Sequence, residues 1–316
     1  MSKGKVTVLG SNGHIGNATM QAFHEAGWEV TGLGRTNRRP VQGTRFVAGD
    51  ADSVPVVRSA IADADVVVHA LHLPYDKWGS GRAEAQLQVV IDAMKGTGKT
   101  LLFPGTIYNY RASDRHVGPQ LRQSAQAPRG EIRIRLETML RSAAEAGDFQ
   151  VIILRAGDFY GPGNRGEWFE QAMLMNYARG RLHHLSDLGL AHSWAYLLDL
   201  ARAFVALAER RQHLAAFENF HFAGHFVTHG ELMDTIGAAS PIPLRASPLQ
   251  WWMLRAAGLL NPVMRDIYRM RYLWLNEMQL EDARLDDLLG PGFATPFGQA
   301  VANTVIELVG EKERAA

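Results

Sequence analysis

Residues 5–16 read Lys5-Val6-Thr7-Val8-Leu9-Gly10-Ser11-Asn12-Gly13-His14-Ile15-Gly16, an apolar run followed by three glycines at fixed spacing. The run is typical of a strand buried on both faces, and helical apolar spacing follows it as far as Gly27. In such a unit the first glycine permits the turn, the second leaves room for a pyrophosphate, and the third lets helix and strand pack closely. The pattern predicts a dinucleotide-binding turn, with an ordinary glycine turn as the alternative. The predicted contacts are Gly10, Asn12, Gly13, His14, Ile15 and Gly16.

The composition limits the classes of partner. The 316 residues include 33 Lys and Arg against 32 Asp and Glu, so a net charge of +1 gives no general attraction to nucleic acid or acidic membranes. There are no cysteines, which excludes disulfides and thiolate metal sites and fits a reducing compartment, so we expect a cytoplasmic protein. The most apolar late stretch, residues 251–260, is short and contains Arg255. We therefore expect a small-molecule substrate and neither a nucleic-acid nor a membrane partner.

Strand-like runs alternate with helical segments through the first half of the chain. After the first helix they recur at residues 28–33, 45–48, 66–70, 100–103 and 150–154, and a helix is predicted at 131–146. This alternation predicts an α/β fold with a doubly wound, Rossmann-type parallel sheet. We assign residues 1–165 to a dinucleotide-binding domain, with returning segments at about 195–225, and residues 166–316 mainly to a smaller, mainly helical substrate-binding lobe. Thr228 and Glu231 form a capping-box pattern that starts a helix in that lobe.

The end of the second strand distinguishes the two nicotinamide cofactors. An acidic residue there binds the ribose hydroxyls of NAD, whereas an arginine accommodates the 2′-phosphate of NADP. Here the sequence is Gly32-Leu33-Gly34-Arg35-Thr36-Asn37-Arg38-Arg39, which has no carboxylate. It favours NADP over NAD, with Arg35 and Arg38 as phosphate ligands and a solvated basic loop as the alternative. Asp50 and Ala51 follow the third strand and are placed to meet the adenine, although Asp50 is equally suited to cap a helix.

Several further segments resemble the short-chain dehydrogenase/reductase superfamily, specifically its extended and atypical branches, which include epimerases, dehydratases and reductases. They are Val66-Val67-Val68-His69-Ala70, Phe103-Pro104-Gly105-Thr106-Ile107-Tyr108, Arg155-Ala156-Gly157-Asp158-Phe159-Tyr160-Gly161-Pro162 and Tyr196-Leu197-Leu198-Asp199-Leu200-Ala201. The resemblance covers nearly the whole chain. It implies that Ala70 and Leu71 line the cofactor, that Ala156 and Phe159 lie near the nicotinamide amide, and that a homodimer forms through the helices beside the sheet.

The chain departs from the catalytic set that this resemblance implies. Family members use a tyrosine as acid and base, a lysine four residues later and a serine or threonine on the fifth strand. Alignment places Pro104 at the serine position, Arg129 at the tyrosine and Arg133 at the lysine. Arg133 keeps a positive charge for the cofactor ribose, but a guanidinium stays protonated and cannot act as a base. The resemblance therefore leaves the proton-transfer group of this chain unassigned.

Thr106 and Tyr108 are the substitute candidates for proton transfer. Both follow the fifth strand, where ligands gather outside the carboxyl ends of a parallel sheet. The phenol of Tyr108 is suited to donate a proton, and the alternative is that Tyr108 packs beneath the cofactor. Asp158 and Tyr160 are weaker candidates for substrate contact, since both are also suited to hold their own loop together.

The remaining clusters of chemical side chains carry weaker predictions. Twelve histidines lack an acidic motif at ligand spacing, so no metal site is predicted. Five arginines between residues 122 and 141 alternate with glutamates, which predicts a solvated helix with local ion pairs. The large aromatic residues are expected mainly in the core, and those that face the cleft favour an apolar or aromatic substrate. They are Tyr75, Trp78, Trp168, Phe169, Trp194, Trp251 and Trp252.

Three functions fit this sequence. The first is an NADPH-dependent oxidoreductase that reduces a carbonyl or an activated double bond, because the cofactor supplies the difficult chemistry. The second is a non-catalytic NADP-binding regulator, which the missing catalytic residues favour. The third is an NAD-dependent epimerase or dehydratase, which the family resemblance favours and Arg35 opposes.

Overall fold

The computed structural model of the chain describes residues 2–74, 77–163 and 166–315, with side chains up to residue 308. The strands are β1 (Lys5–Leu9), β2 (Glu29–Gly34), β3 (Arg45–Ala48), β4 (Val66–His69), β5 (Thr100–Thr106), β6 (His116–Val117), β7 (Gln150–Ala156), β8 (Asp158–Tyr160), β9 (Arg181–His184), β10 (Ala191–Tyr196), β11 (Phe217–His221), β12 (His225–Thr228), β13 (Arg245–Pro248) and β14 (Gln279–Leu280). The helices are α1 (His14–Glu25), α2 (Val54–Ala60), α3 (Arg82–Met94), α4 (Pro128–Glu145), α5 (Leu197–Arg210), α6 (His229–Ala239), α7 (Trp251–Ala257), α8 (Pro262–Met270), α9 (Ala283–Leu289) and α10 (Phe297–Ala315).

Seven strands form the main sheet in the order β11-β7-β5-β4-β1-β2-β3. The pairs β1–β2, β1–β4, β2–β3 and β4–β5 are parallel. The chain runs from β1 outward to β3 and then returns to β4 on the other side of β1. The strand order therefore reverses between β1 and β4, and ligands of open parallel sheets bind outside the carboxyl ends of the strands at such a point.

Burial on both faces explains why these segments are strands. All four residues of β4 are buried, and Val66, Val67 and Val68 have no exposed surface. Continuous β-branched runs of this kind are typical of parallel strands covered by helices on both sides. The helix predicted at residues 131–146 is α4, and its Ile132, Leu136 and Leu140 pack into the same apolar core as the strands. The predicted Rossmann-type fold is confirmed.

The chain divides into two compact units, each made of several segments. The first contains residues 1–109, 128–155 and 200–220, and the second contains residues 110–127, 156–199 and 221–316. Within the segments expected to return at about 195–225 lies β11, at the edge of the main sheet beside β7. The dinucleotide-binding and substrate-binding roles of the two units stay predictions.

The second unit is built from small sheets and helices. β10 is buried along its whole length and pairs with β8 in parallel and with β12 in antiparallel orientation. Thr228 caps α6 in the predicted capping box: its hydroxyl accepts from the Glu231 amide, and the Glu231 carboxylate accepts from the Thr228 amide. Among the described residues, no helix combines the length and the apolar character that crossing a membrane requires.

Candidate functional site

A cavity of about 730 Å³ lies at the carboxyl ends of β1 to β4, inside the first unit. It occupies the point where the strand order reverses, because its walls come from the residues that follow β1, β2, β3 and β4. Nine of the residues predicted to contact a cofactor line it: Gly10, Asn12, Gly13, Arg35, Arg38, Asp50, Ala51, Ala70 and Leu71. The structure thus brings together residues that are up to about sixty positions apart in the chain.

Packing of the protein on itself explains two of the three glycines of the turn. Gly10 has a φ of +91°, and a Cβ built there would lie 2.4 Å from the Ala70 carbonyl oxygen. A Cβ on Gly16 would lie 2.3 Å from the Gly10 carbonyl oxygen. Both positions exclude a side chain because backbone atoms cannot move away cheaply, so Gly10 and Gly16 are required by the turn itself.

Gly13 differs from its two neighbours in the motif. Its φ of −70° suits any residue, and a Cβ there would meet its nearest protein atoms at 3.4 and 3.7 Å, within ordinary contact. Neither backbone strain nor packing requires a glycine at this position. Gly13 lines the cavity, so a side chain at this position would extend into the space that a ligand can occupy.

Asn12 connects the glycine turn to the basic loop after β2. Its side-chain nitrogen donates to the Thr36 carbonyl, and its side-chain oxygen accepts from the amides of Arg38 at 2.8 Å and Arg39 at 3.2 Å. This bracing fixes the loop beside the turn. The side chains of Arg35 and Arg38 are exposed at the cavity wall.

Two further cations line the cavity that sequence reasoning missed. They are Lys77 and Arg82, and Arg82 is the first residue of α3. With Arg35 and Arg38 they give four positive side chains against two negative ones, Asp50 and Asp52. A cavity with this excess of positive charge attracts anionic ligands. A lone Lys or Arg in a loop carries no sequence signal for such a role.

Asp50 lines the cavity, but its alternative assignment as a helix cap is wrong. α2 begins at Val54 with Ser53 at the N-cap position. The Asp50 carboxylate instead accepts from the amide of Asp52 at 3.1 Å, which shapes the turn after β3. His14 and Ile15 form the first turn of α1 and lie outside the cavity lining, as does Gly16.

The arginines at the expected tyrosine and lysine positions are held by the protein. Arg129 is buried, and its guanidinium carbon lies 5.7 Å from the centre of the Trp78 ring. Arg133 donates to the Pro104 carbonyl and lies 4.7 Å from the centre of the Phe103 ring. Neither residue is part of the cavity lining, so the predicted contact of Arg133 with a cofactor stays a prediction.

A buried ion pair fixes α4 to the ends of β5 and β7. Arg155 contacts a Glu137 carboxylate oxygen at 2.6 Å, and the other oxygen accepts from the side chain of Asn109 at 2.9 Å. Arg155 also donates to the Thr106 carbonyl at 2.6 Å. The sequence predicted ion pairs along the helix, whereas Glu137 pairs across to β7 and Arg135 pairs with Glu84 of α3, so these two pairs join α4 to other elements. In the sequence, the sign of this buried ion pair is Arg155, a charged residue within the apolar run of β7.

Thr106 and Tyr108 lie where the end of β5 passes into a short 3₁₀ turn. Thr106 is the last residue of β5, and its hydroxyl oxygen is buried without a hydrogen-bond partner among the described residues. Tyr108 is half-buried in the turn Ile107–Asn109. Neither residue lines the cavity, and their catalytic roles stay predictions.

His69 ends β4 beside the cavity residue Ala70. Its ring lies 5.1 Å from that of Phe103, and its Nε2 is buried without a hydrogen-bond partner among the described residues. Burial, followed by the positive charge of Arg133, lowers the pKa of His69 to about 4. The imidazole is therefore neutral at physiological pH.

In the second unit, the candidate polar side chains contact one another. Asp158 accepts from His192 at 2.9 Å and from the Trp274 indole at 2.6 Å, and the Tyr160 hydroxyl contacts His225 at 2.8 Å. These groups hold the unit together. Ala156 and Phe159 also belong to this unit and lie outside the described cavity lining. Within the described ranges, no group of three or more His, Asp or Glu side chains is placed to hold a metal ion.

The same unit contains an unpredicted carboxyl group in a π-helix at Phe169–Met173. Burial, with a smaller contribution from Glu167, raises the pKa of Glu170 to about 9, so this side chain is neutral at physiological pH. Nearby aromatic residues pack on each other as expected of a core: the Trp168 and Trp274 rings lie 4.1 Å apart, and those of Trp251 and Trp274 5.8 Å apart. Trp252 is an exception and is exposed, and Tyr75 lies outside the described residues.

Comparisons with known proteins agree with this architecture. The model of the NAD-dependent epimerase/dehydratase family matches residues 6–221. No curated protein matches the chain.

Solved structures with the same fold include the Bordetella bronchiseptica enzyme WbmH in complex with NAD⁺, with 19% identity over 97% of this chain and 99% of that one and a TM-score of 0.71. MoeE5 in complex with UDP-glucuronic acid and NAD is 17% identical over 98% of this chain and 100% of that one, with a TM-score of 0.78. A UDP-N-acetylglucosamine 4-epimerase from Bacillus cereus is 16% identical over 96% and 98%, with a TM-score of 0.73. At these identities the likeness establishes the fold.

Proposed function

The chain belongs to the NAD-dependent epimerase/dehydratase family, and on this premise we propose that it binds a nicotinamide dinucleotide at the glycine turn and uses it to oxidise and reduce a substrate carbon. The observation that carries the proposal is Gly13, a cavity-lining residue at which neither backbone conformation nor contact with the described protein atoms excludes a side chain. The four cations of the cavity wall support an anionic ligand of this kind.

The described residues fit the proposed cofactor from its adenosine end to its pyrophosphate. Gly10 and Gly13, with the start of α1, would hold the pyrophosphate, and Ala51 would contact the adenine. The nicotinamide, when bound, supplies hydride acceptance and donation. The protein contributes orientation and charge, through the glycine turn and the loop that Asn12 braces.

We further propose a preference for NADP, which rests on the loop after β2. Arg35 and Arg38 line the cavity, and no carboxylate follows β2 to bind free ribose hydroxyls. WbmH and MoeE5 are described with NAD, at 19% and 17% identity to this chain. The proposed preference for NADP therefore rests on the loop after β2 in this chain and not on these neighbours.

For the reaction, we place epimerase or dehydratase chemistry first and reduction of an apolar carbonyl compound second. The family match supports this order, and the described neighbours include epimerases that act on UDP-sugars. In both reactions a substrate hydroxyl gains or loses a proton as hydride moves. Arg129 and Arg133 cannot exchange that proton, since a guanidinium stays charged, so the exchange falls to Thr106 or Tyr108.

The experiment compares NAD and NADP, each with a panel of UDP-sugars and, in its reduced form, with a panel of carbonyl compounds. Epimerase or dehydratase activity converts a sugar nucleotide without net change in the absorbance of reduced nicotinamide. Reductase activity consumes reduced cofactor in proportion to product. Failure of wild-type protein to bind either cofactor would refute the whole proposal.

A second candidate function is cofactor binding without turnover. Two observations favour it: Arg129 and Arg133 occupy the family's acid/base positions, and both contact protein groups. It predicts that Tyr108→Phe leaves cofactor affinity unchanged and that neither panel is converted. It also predicts different affinities for the oxidised and reduced cofactor, measured by titration calorimetry.

A further inference from the structure

An exposed helical hairpin in the second unit presents large apolar side chains to solvent. It consists of α7, the turn at residues 258–261 and α8, and the two helices pack against each other. Leu259 and Leu260 at its turn are 83% and 94% exposed, and Trp252 and Met253 on α7 are 67% and 55% exposed. Single exposed apolar residues are common, but four large ones within residues 252–260 of one hairpin indicate an interaction surface.

The hairpin turn is built to hold its two leucines outward. A Cβ on Gly258 would lie 2.9 Å from the Arg265 Cα, so the glycine lets the two helices approach closely. The Asn261 side chain accepts from the amide of Val263 at 2.9 Å, and Pro262 occupies the first position of α8. The exposure of Leu259 and Leu260 is therefore a consequence of a well-defined turn.

The hairpin also carries positive charge. Residues 251–270 contain three arginines and one aspartate, a net charge of +2 in a chain whose total is +1. Arg255 and Arg265 are exposed and form no ion pair with any described residue. Arg269 is exposed and lies 3.5 Å from Asp266.

We propose that this hairpin binds the surface of an anionic lipid bilayer. Leu259 and Leu260 insert at the boundary between headgroups and acyl chains, Trp252 lies at headgroup level, and the arginines contact lipid phosphates. An interfacial hairpin needs no membrane-spanning helix. The proposal replaces the expectation of no membrane partner, which rested on the net charge of the whole chain and on the shortness of the apolar stretch 251–260. The net charge averages out this local charge, and the length of the stretch bears only on a membrane-spanning helix.

Charge and size favour a bilayer over a second copy of the chain. In a two-fold dimer the same patch faces itself, so a net charge of +2 would oppose +2. A stable dimer also buries about 20 to 30 residues on each side, whereas this surface has four exposed large apolar side chains. A bilayer deforms around exposed leucines and supplies the opposite charge.

The absence of cysteine allows a direct test. Leu260→Cys, labelled with a polarity-sensitive fluorophore, is mixed with vesicles of phosphatidylcholine containing phosphatidylglycerol and with vesicles of phosphatidylcholine alone. We expect a blue shift with the anionic vesicles that weakens as salt is added. Ile306→Cys provides the matched control, because Ile306 is also exposed, at 65%, but lies on α10. Its label should not shift.

Vesicle sedimentation supplies a second measurement without a label. Leu259→Ser/Leu260→Ser should lower the partition coefficient on anionic vesicles about tenfold or more, and Arg255→Gln/Arg265→Gln should lower it severalfold. Ile306→Ser should leave it unchanged. No shift at Leu260, or equal shifts at Leu260 and Ile306, would overturn the proposal. A shift that depends on protein concentration without vesicles would assign the surface to a second copy and would also overturn it.

Discussion

The glycine turn at residues 10–16 and the first turns of α4 belong to the same unit, yet their residues are determined in different ways. In the turn, packing explains Gly10 and Gly16 but not Gly13, whose side of the turn opens into a cavity. In α4, Arg129, Arg133 and Glu137 all contact protein groups. One region leaves space for a ligand, and the other is occupied by contacts within the protein. The structure therefore supports the proposed cofactor site more directly than it supports any acid/base group.

The largest expected effect on stability comes from breaking the ion pair that fixes α4. Arg155→Met leaves the Glu137 carboxylate buried without its cation, and we expect a loss of about 3–5 kcal/mol in the free energy of unfolding, measured in urea. Arg135→Met is the control on the same helix. Its side chain is 54% exposed and pairs with Glu84 of α3, so we expect a loss below about 1 kcal/mol. Equal losses would show that the buried pair does not hold the helix.

A second test addresses the glycine turn. Gly13→Val should weaken dinucleotide binding about a hundredfold, or about 2.7 kcal/mol, because its side chain occupies the ligand's space, while the melting temperature stays close to that of the wild type. Gly16→Ala should instead destabilise the fold by about 1–3 kcal/mol, since its Cβ would meet the Gly10 carbonyl. If Gly13→Val binds cofactor normally, the cavity does not explain this glycine.

A third test compares the affinities for NADP and NAD after a substitution at the same end of the sheet. Arg35→Ala should lower affinity for NADP about tenfold and leave affinity for NAD nearly unchanged, because a charge-assisted hydrogen bond to the 2′-phosphate is lost. Arg45→Ala is the control, since Arg45 is exposed on the neighbouring β3 and lies outside the cavity lining. Equal effects of Arg35→Ala on both cofactors, measured by calorimetry, would rule out a phosphate-specific role.

The smallest expected effect is on the pKa of His69, which lies between the glycine turn and α4. Its folded-state pKa of about 4 is below the ordinary 6.5, so the unfolded chain binds the extra proton, and this residue's contribution makes stability fall as the pH decreases from about 6.5 to about 4. Arg133→Met removes a positive charge, which is the smaller cause of the lowered pKa of His69, and leaves the His69 ring buried. The pKa of His69 should therefore rise but stay below 6.5.

NMR titration of the His69 ring checks this change, and the associated gain in stability at acid pH should be under about 1 kcal/mol. Arg141→Met is the matched control, because Arg141 is on the same helix but lies over the Phe217 ring. An unchanged pKa in the Arg133 variant would show that its charge does not act on His69.

Local patterns predicted the parts of the molecule that depend on short stretches of chain. The strand β3 spans residues 45–48, as the sequence predicted, and the capping box at Thr228 has both of its hydrogen bonds. Two side chains have partners other than those that the sequence predicted. Glu137 pairs with a strand rather than with its own helix, and Asp50 bonds within its turn rather than capping α2. Charge spacing along one helix carries no information about a partner on another element.

By itself, the sequence determined the glycine turn and the parallel sheet, because these depend on backbone conformation and on apolar periodicity, which neighbouring residues fix. Its motifs also carried the resemblance to the family whose model matches residues 6–221. Only the tertiary structure decided which charged groups are buried, that Lys77 and Arg82 join the cavity, and that Leu259 and Leu260 face solvent. Those outcomes depend on where distant elements meet. The same arginine or leucine has a different role once its surroundings, and therefore its access to water, are set by the fold.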